Sequence, residues 1–262
     1  MARPPIDITA LRAALGARWP RIEVVAEDQS TNATLLSDES APDRAVLVAE
    51  HQRAGRGRLD RSWSSPARAG LTFSVVLRPS APVRTWGWLP LVAGVALHDA
   101  VAAATGLPVR LKWPNDLLHG PSERKLAGIL AQTNGTAVVV GIGLNVSTTE
   151  AELPVETASS LVLCGVPEPD RTALLAAVLT QLDRREAQWD DVGGDAEACG
   201  LAADYRRGCA TLDRTVTVST TGAGAVTGRA VGIDADGRLQ VEHDGRVEAI
   251  GAGDVQHLRP VV

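Results

Sequence analysis

Apolar positions along the chain follow two periods, and the period changes with position. WLPLVAGVALHDAVAAATG (88–106) is apolar at helical spacing and closes on Gly106, which predicts the strongest helix. RTALLAAVLTQLDRREAQW (171–189) predicts a second long helix with a charged face. Shorter helices are expected over 8–18, from the Ser30-Thr31-Asn32 cap through Leu36, and over 201–209. Between them lie strand patterns. RIEVVAE (21–27) and VRLKWP (109–114) are short, AVLVAEHQ (45–52) is almost wholly apolar and reads as buried on both faces, and GLTFSVVLRP (70–79) alternates. KLAGILAQT (125–133) and TAVVVGIGLNVS (136–147) flank Asn134-Gly135, a strong hairpin signal.

Beyond about residue 208 the texture becomes short strands and glycine-rich turns. RTVTVST, AVTGRAVGID, GRLQVEHDG and RVEAIGAGDVQHL suggest a small five-stranded barrel of the SH3-like type. Strands and helices do not alternate regularly in the front portion, so the fold class is α+β rather than doubly wound. The expected division is 1–207 for the larger domain and 208–262 for the smaller.

Composition narrows the function classes. A chain of 262 residues with 45% hydrophobic content can bury a sizeable core. Its net charge of −5 argues against a nucleic-acid coat or a polybasic membrane binder, so a basic loop on it reads as a site. Cys164, Cys199 and Cys209 are scattered without metal spacing, and the five histidines show no HxxxH; a reducing compartment without disulfides is expected. The N-terminus does not resemble a signal peptide, and no apolar run is expected to reach the length of a membrane span. A soluble cytoplasmic protein follows as an expectation.

Five short motifs carry the candidate chemistry. In AGRGRLDRSW, Gly55 and Gly57 bare the backbone while Arg56, Arg58 and Arg61 offer planar forks suited to phosphate or carboxylate; a solvated surface loop is the other reading. It is neither a P-loop nor a dinucleotide fingerprint. In LKWPNDLL, Pro114 directs Asn115 and Asp116, which could orient a ribose or hold Mg²⁺ or simply form an Asx turn, with Lys112 just before them. Lys125 heads an apolar strand, where a carboxylate or phosphate opposite would explain it as well as snorkelling would. Gly128 lets something flat approach that strand, and Gly141 and Gly143 suggest close approach by a ligand, or tight packing. Ser30, Thr31 and Asn32 can cap a helix or bind a small polar group. Arginines and a lysine without a nucleophile suit an adenylation, in which the substrate's own carboxylate attacks ATP and the protein positions and neutralises charge.

The ordered set STN, AGRGRLDRSW, KWPNDLL, KLAGIL and GIGLNV resembles the biotin protein ligases over about residues 25–150, and the small C-terminal barrel continues the resemblance. It implies a class II synthetase-like catalytic domain with a mixed central sheet and flanking helices. The implied reaction converts biotin and MgATP to biotinyl-5′-AMP, then transfers biotin to a lysine of a biotin carboxyl carrier domain of an acyl-CoA or pyruvate carboxylase. By position in the motifs, Ser30, Thr31, Asn32, Gln52, Gly55, Arg56, Lys125, Gly128 and Leu130 are implied to bind biotin. Gly57, Arg58, Arg61, Trp63, Lys112, Asn115, Asp116 and Asn145 are implied to serve ATP, with Asp116 the metal candidate. Lys125, Arg58 and Arg56 are the implied catalytic cations. Leu59 and Asp60 sit at spacer positions. No tightly bound cofactor is implied beyond ATP and Mg²⁺ as substrates.

Only 29 residues precede Ser30, too few for the DNA-binding domain some relatives carry, so a monofunctional enzyme without DNA as partner is expected, as a monomer or weak homodimer. The rival readings are a lipoate or octanoate protein ligase, a non-catalytic biotin sensor, and a nucleic-acid or peptide-binding module built on the arginine loop and the barrel. Overall acidity and the scarcity of aromatic platforms count against the last.

Overall fold

The computed structural model describes residues 3–59, 61–220, 224–251 and 253–257. In chain order, α1 (Ile8–Leu15) leads to β1 (Arg21–Val25), α2 (Thr31–Ser37), β2 (Ala45–Ala49) and the two-residue strands β3 (Gly55–Arg56) and β4 (Ser62–Trp63). Then come β5 (Gly70–Leu77), α3 (Leu89–Thr105), β6 (Val109–Lys112), β7 (Asp116–His119), β8 (Arg124–Thr133) and β9 (Val138–Asn145). After α4 (Arg171–Asp190) and α5 (Leu201–Gly208), the chain ends in β10 (Thr215–Thr220), β11 (Gly224–Ile233), β12 (Leu239–His243), β13 (Arg246–Ile250) and β14 (Asp254–His257).

The first sheet has seven strands in the order β1-β2-β5-β9-β8-β7-β6. Only β1 and β2 run parallel; every other neighbouring pair is antiparallel. The sheet is mixed, and the helices flank it as expected of an α+β fold. On one face, Leu71, Phe73, Val75 and Leu77 of β5 and Val138, Val140, Ile142 and Leu144 of β9 meet the core shared with α3 and α4. On the other face, α2 covers only one end, where Leu35 packs on Leu47, Val76 and Val139. β2 is therefore buried on both faces, as its sequence predicts.

Three expectations change. β5 does not alternate in burial: seven of its eight residues are buried, because its second face is covered too. LKWPNDLL is a hairpin rather than a strand-end loop, with Lys112 opposite Asp116 and DLLH forming the strand β7. Its Trp113–Pro114 peptide is cis. Finally, Val83–Thr105 is long and apolar enough by composition to cross a membrane, with mean hydropathy 1.4, contrary to the sequence reading. Yet 61% of that window is buried inside the protein. α3 is apolar nearly all round because the sheet lies on one side and α4 on the other.

The five C-terminal strands form an antiparallel sheet in the order β13-β12-β11-β10-β14, the SH3-like unit expected. Its apolar residues, among them Val218, Leu239 and Val241, join the main core. Two buried tryptophans tie it to the larger unit, one just before α3 and one in the β6–β7 turn: Trp88 Nε1 donates to the Ala235 carbonyl at 3.0 Å and Trp113 Nε1 to the Gly237 carbonyl at 3.1 Å. Cys164, Cys199 and Cys209 are all free.

Beneath α4, Glu186 accepts from Arg44 at 2.6 Å in an almost dry site, and Arg44 also pairs with Asp183 and Asp43. Burial pushes the Glu186 carboxyl up to about 7; Arg44 opposes the shift, and Asp190, Asp43 and Asp183 reinforce it. A folded-state pKa above the unfolded value means that the fold holds this proton more tightly than the open chain does. Stability from protonated Glu186 is complete below the unfolded value of 4.5 and is lost as pH rises through about 7, by about 3 kcal/mol at most. The melting-temperature difference, wild type minus Glu186→Gln, is expected to fall between pH 5 and 8. A difference that stays flat or rises over that range would show an unraised carboxyl.

Candidate active site

Strand register builds the floor of the site. Asp116 of β7, Gly128 of β8, Gly143 of β9 and Thr72 of β5 stand in one row across the sheet; Leu130, Gly141 and Ser74 stand in the next. Alternation along each strand turns these residues away from α3, onto the face that α2 leaves open. Lys125 breaks parity, since it lies three residues before Gly128. A register shift between Leu117 and Leu118 corrects this: Leu117 pairs with Ala127 but Leu118 pairs with Lys125, leaving Leu126 as the extra residue. Such a bulge re-aims the side chains on either side of it. Leu126 joins the core, and the Lys125 ammonium reaches the cleft beside Gly128.

The glycine-arginine loop is the roof. It leaves β2 at Glu50, whose carboxylate accepts from the Ile6 amide at 2.7 Å and pairs with Arg171 at 2.7 Å, both side chains only 6% exposed. Removing one partner of so buried a pair costs about 3–5 kcal/mol, so this is a firm anchor. From it the chain forms the β3–β4 ribbon, with Gly55 opposite Trp63 and Arg56 opposite Ser62. Gly55 must be glycine because a Cβ there would strike the Trp63 carbonyl. Trp63 lays its indole on the glycine floor: a Cβ on Gly143 would run into the ring, and one on Gly128 would sit 3.3 Å from it. Over Gly141 the space is filled by the Asn32 amide. The two β9 glycines therefore clear room for the protein's own side chains, the tight packing that is one of the two readings of these positions, while both still line the cleft.

One end of the cleft is polar and uncharged. Ser30 caps α2, accepting from the Ala33 amide at 3.4 Å. The Thr31 amide donates to Gln52 Oε1 at 2.8 Å, and the Thr31 hydroxyl lies 3.0 Å from the same oxygen. Asn32 Nδ2 donates to the Leu130 carbonyl and to Gln132 Oε1, each at 3.0 Å. The other end is cationic. Lys125 Nζ lies 2.6 Å from Asp116 Oδ1 and 5.9 Å from the Trp63 ring centroid, so the carboxylate expected opposite Lys125 is Asp116. Arg61 pairs with Asp254 of the C-terminal sheet at 2.5 Å. Arg56 is exposed, whereas Arg58 is half-buried. Burial lowers the Arg58 guanidinium below its ordinary value, with the charges of Asp116 and Asp254 pulling the other way. Among the described residues no carboxylate forms an ion pair with it.

The cleft thus gathers Ser30, Thr31, Asn32 and Gln52 at one end, Arg56, Gly57, Arg58 and Arg61 in the roof, and Trp63, Asn115, Asp116, Lys125, Gly128 and Leu130 along floor and wall. Gly55 shapes the ribbon without lining the cleft. Lys112 and Asn145 line an adjoining groove between the two sheets, which meets the cleft at Lys125 and Asp116. Both asparagines have structural partners: Asn115 Nδ2 donates to the Ile129 carbonyl and Asn145 Nδ2 to the Ser159 carbonyl, each at 2.9 Å. His257 closes the groove; burial first, then Lys112 and Arg214, lower its pKa. The described residues hold no cluster of three or more His, Cys, Asp or Glu side chains suited to a metal. Leu59 has φ +53°, and Asp60 lies outside the described residues. Sequence reading missed Ser74 and Asp254. A serine among the large apolar residues of FSVVL was a usable signal for the first; nothing local marks the second.

Comparison with known proteins agrees with this geometry. Residues 22–147 match the Biotin/lipoate A/B protein ligase family and 211–258 the Biotin protein ligase C terminal domain. The biotin–[acetyl-CoA-carboxylase] ligase of Mycobacterium tuberculosis is 43% identical, covering 98% of this chain and 97% of that protein. The bifunctional ligase/repressor BirA of Bacillus subtilis is 31% identical over 89% of this chain and 72% of its own length. Among solved structures, biotin protein ligase from Aquifex aeolicus in complex with biotin and ATP superposes with TM-score 0.77 at 28% identity, covering 91% of this chain and 99% of that one. Similarity over nearly the full length of both chains, on the same pair of sheets, makes this chain a member of the biotin protein ligase family.

Proposed function

We infer that this chain is an ATP-dependent ligase that activates biotin as biotinyl-5′-AMP and passes it to a lysine of a biotin carboxyl carrier domain of an acyl-CoA or pyruvate carboxylase. The observation that carries this is one continuous cleft with an uncharged hydrogen-bonding end and a cationic end. Biotin's ureido ring matches the first and its carboxylate the second. The dithiolane ring of lipoate would offer no polar group to the Thr31 hydroxyl lone pairs and the Gln52 amide at this end, and a site built to hydrogen-bond its ligand discriminates strongly against one lacking the polar group. A pure sensor would have no use for a desolvated arginine beside a lysine aimed at the same end.

In the first step an oxygen of the biotin carboxylate attacks the α-phosphorus of ATP and pyrophosphate leaves. Negative charge builds on the phosphorus oxygens, and Lys125 and Arg58 are placed to neutralise it, with Arg56 at the rim. Asp116 holds Lys125 in position before ligands arrive. Lys112, Asn115 and Asn145 are assigned to the nucleotide, through the adjoining groove. Magnesium fits as the chelate that ATP brings, since it is usually held by one or two carboxylates together with phosphate oxygens; Asp116 is the carboxylate at hand. In the second step the neutral carrier amine attacks the acyl carbon, the amide forms, and AMP leaves. The loop Gly55–Trp63 covers the mixed anhydride meanwhile and keeps water from it. We assign catalysis to residues 1–207, the SH3-like unit to 208–262 and the protein to the cytoplasm, where its free thiols stay reduced.

Incubation with biotin, MgATP and a carrier domain should add the biotin mass to the carrier, with ATP required and lipoate unable to substitute. Neither a mass shift nor pyrophosphate release would remove the reading. Lys125→Ala should lower adenylation by about 10²–10³-fold in a folded protein, as loss of one preorganised charge contact does. A folded, fully active variant would sink the role given to Lys125. Arg58→Ala should release biotinyl-AMP roughly tenfold or more faster, the scale of one lost charge-assisted hydrogen bond, with biotin affinity less affected. Unchanged leakage, read by trapping of free adenylate, would count against the loop assignment.

A further inference from the structure

Ser74 is fully buried in the middle of β5, between Leu47 of β2 and Gly141 of β9, on a strand otherwise filled by Phe73, Val75 and Val76. Its hydroxyl lies 2.6 Å from Asn32 Oδ1 and 2.6 Å from Thr31 Oγ1. The directions of these bonds follow from one backbone carbonyl. Leu130 O can only accept, so the Asn32 amide must turn its nitrogen there and its oxygen toward Ser74. Asn32 Oδ1 can only accept, so Ser74 spends its single proton on it. Ser74 can then only accept from Thr31, so the contact at 2.6 Å requires the Thr31 proton. Gln52 Oε1, held by the Thr31 amide, is another pure acceptor beside the same hydroxyl. The Thr31 hydroxyl is left with lone pairs and no proton for the cleft.

We propose that Ser74 is a positioning residue for substrate selection: its contact with Thr31, shorter than that of Gln52, takes the Thr31 proton and fixes the direction of that hydroxyl, so that this end of the cleft meets a ligand group presenting N–H with an acceptor already aimed. The proposal rests on the biotin reading, in which that group is a ureido nitrogen. Ser74 does not line the cleft and acts only through Thr31. Asn32 stays fixed without it, because its nitrogen keeps Leu130 O and Gln132 and its amide fills the space above Gly141.

The test is a double-mutant cycle on the full chain, measuring pyrophosphate release with biotin and MgATP and, separately, thermal melting. Ser74→Ala is expected to raise the KM for biotin about tenfold, with the KM for ATP and kcat changed less than about twofold. In a Thr31→Val background the same substitution should change the biotin KM by less than about twofold, since the hydroxyl it acts on is gone. A merely structural Ser74 would instead lower kcat or raise both KM values together, and would act equally in both backgrounds; either result overturns the proposal, as does an unchanged biotin KM. Should Ser74→Ala not fold, Ser74→Cys, of similar shape and with a weaker donor, is expected to show the same split. A wild type that is folded but releases no pyrophosphate with biotin would refute the biotin reading itself and this inference with it.

Discussion

A seven-stranded sheet has two faces to remove from water, and in this protein only one of them is covered by helices. α3 and α4 bury the first; α2 closes one end of the second and then runs out. What remains is covered by a loop, and the loop's main contribution is the Trp63 indole laid on Gly128 and Gly143. The site exists because that covering is incomplete. Its floor is rigid β-sheet, its roof a ribbon anchored at the buried Glu50–Arg171 pair, and the two meet through one aromatic ring rather than through a packed helix.

The same incompleteness explains the electrostatics. The chain is acidic overall, yet its cleft collects Arg56, Arg58, Arg61 and Lys125. Partial burial makes Lys125 and Arg58 costly to leave alone, and carboxylates stand near them: Asp116 on Lys125 at short range, and the more distant charges of Asp116 and Asp254 on Arg58, while the exposed Arg61 pairs with Asp254. These contacts hold Lys125 and Arg61 in place, while among the described residues no carboxylate forms an ion pair with Arg58. An incoming anion then meets groups already aimed, and little reorganisation is needed when charge develops.

The C-terminal sheet completes the arrangement. It is pinned by Trp88 and Trp113 from below and by Arg61 from the loop, so roof and floor of the cleft are both referred to it. Its β14 strand supplies Asp254 to the cleft and His257 to the adjoining groove. This unit is therefore part of the site's geometry and no mere appendage.

Much of this was written in local pattern. The long helix, the Asn134-Gly135 hairpin, the doubly buried β2 and the five C-terminal strands follow from side-chain period and turn chemistry, which act over a few residues. The ordered motifs likewise marked most residues that line the cleft. Other features depend on who stands opposite. The bulge that turns Lys125 into the cleft arises from pairing with β7, and no spacing within KLAGIL announces it. Gly141 and Gly143 read as room for a ligand or as tight packing, and only the fold brings Asn32 and Trp63, far away in the chain, onto them. α3 has the composition of a membrane span, and only the sheet beneath and α4 above make it a core helix. Period reports which way a side chain points; long-range pairing decides what it meets, and at this site the chemistry lies in what is met.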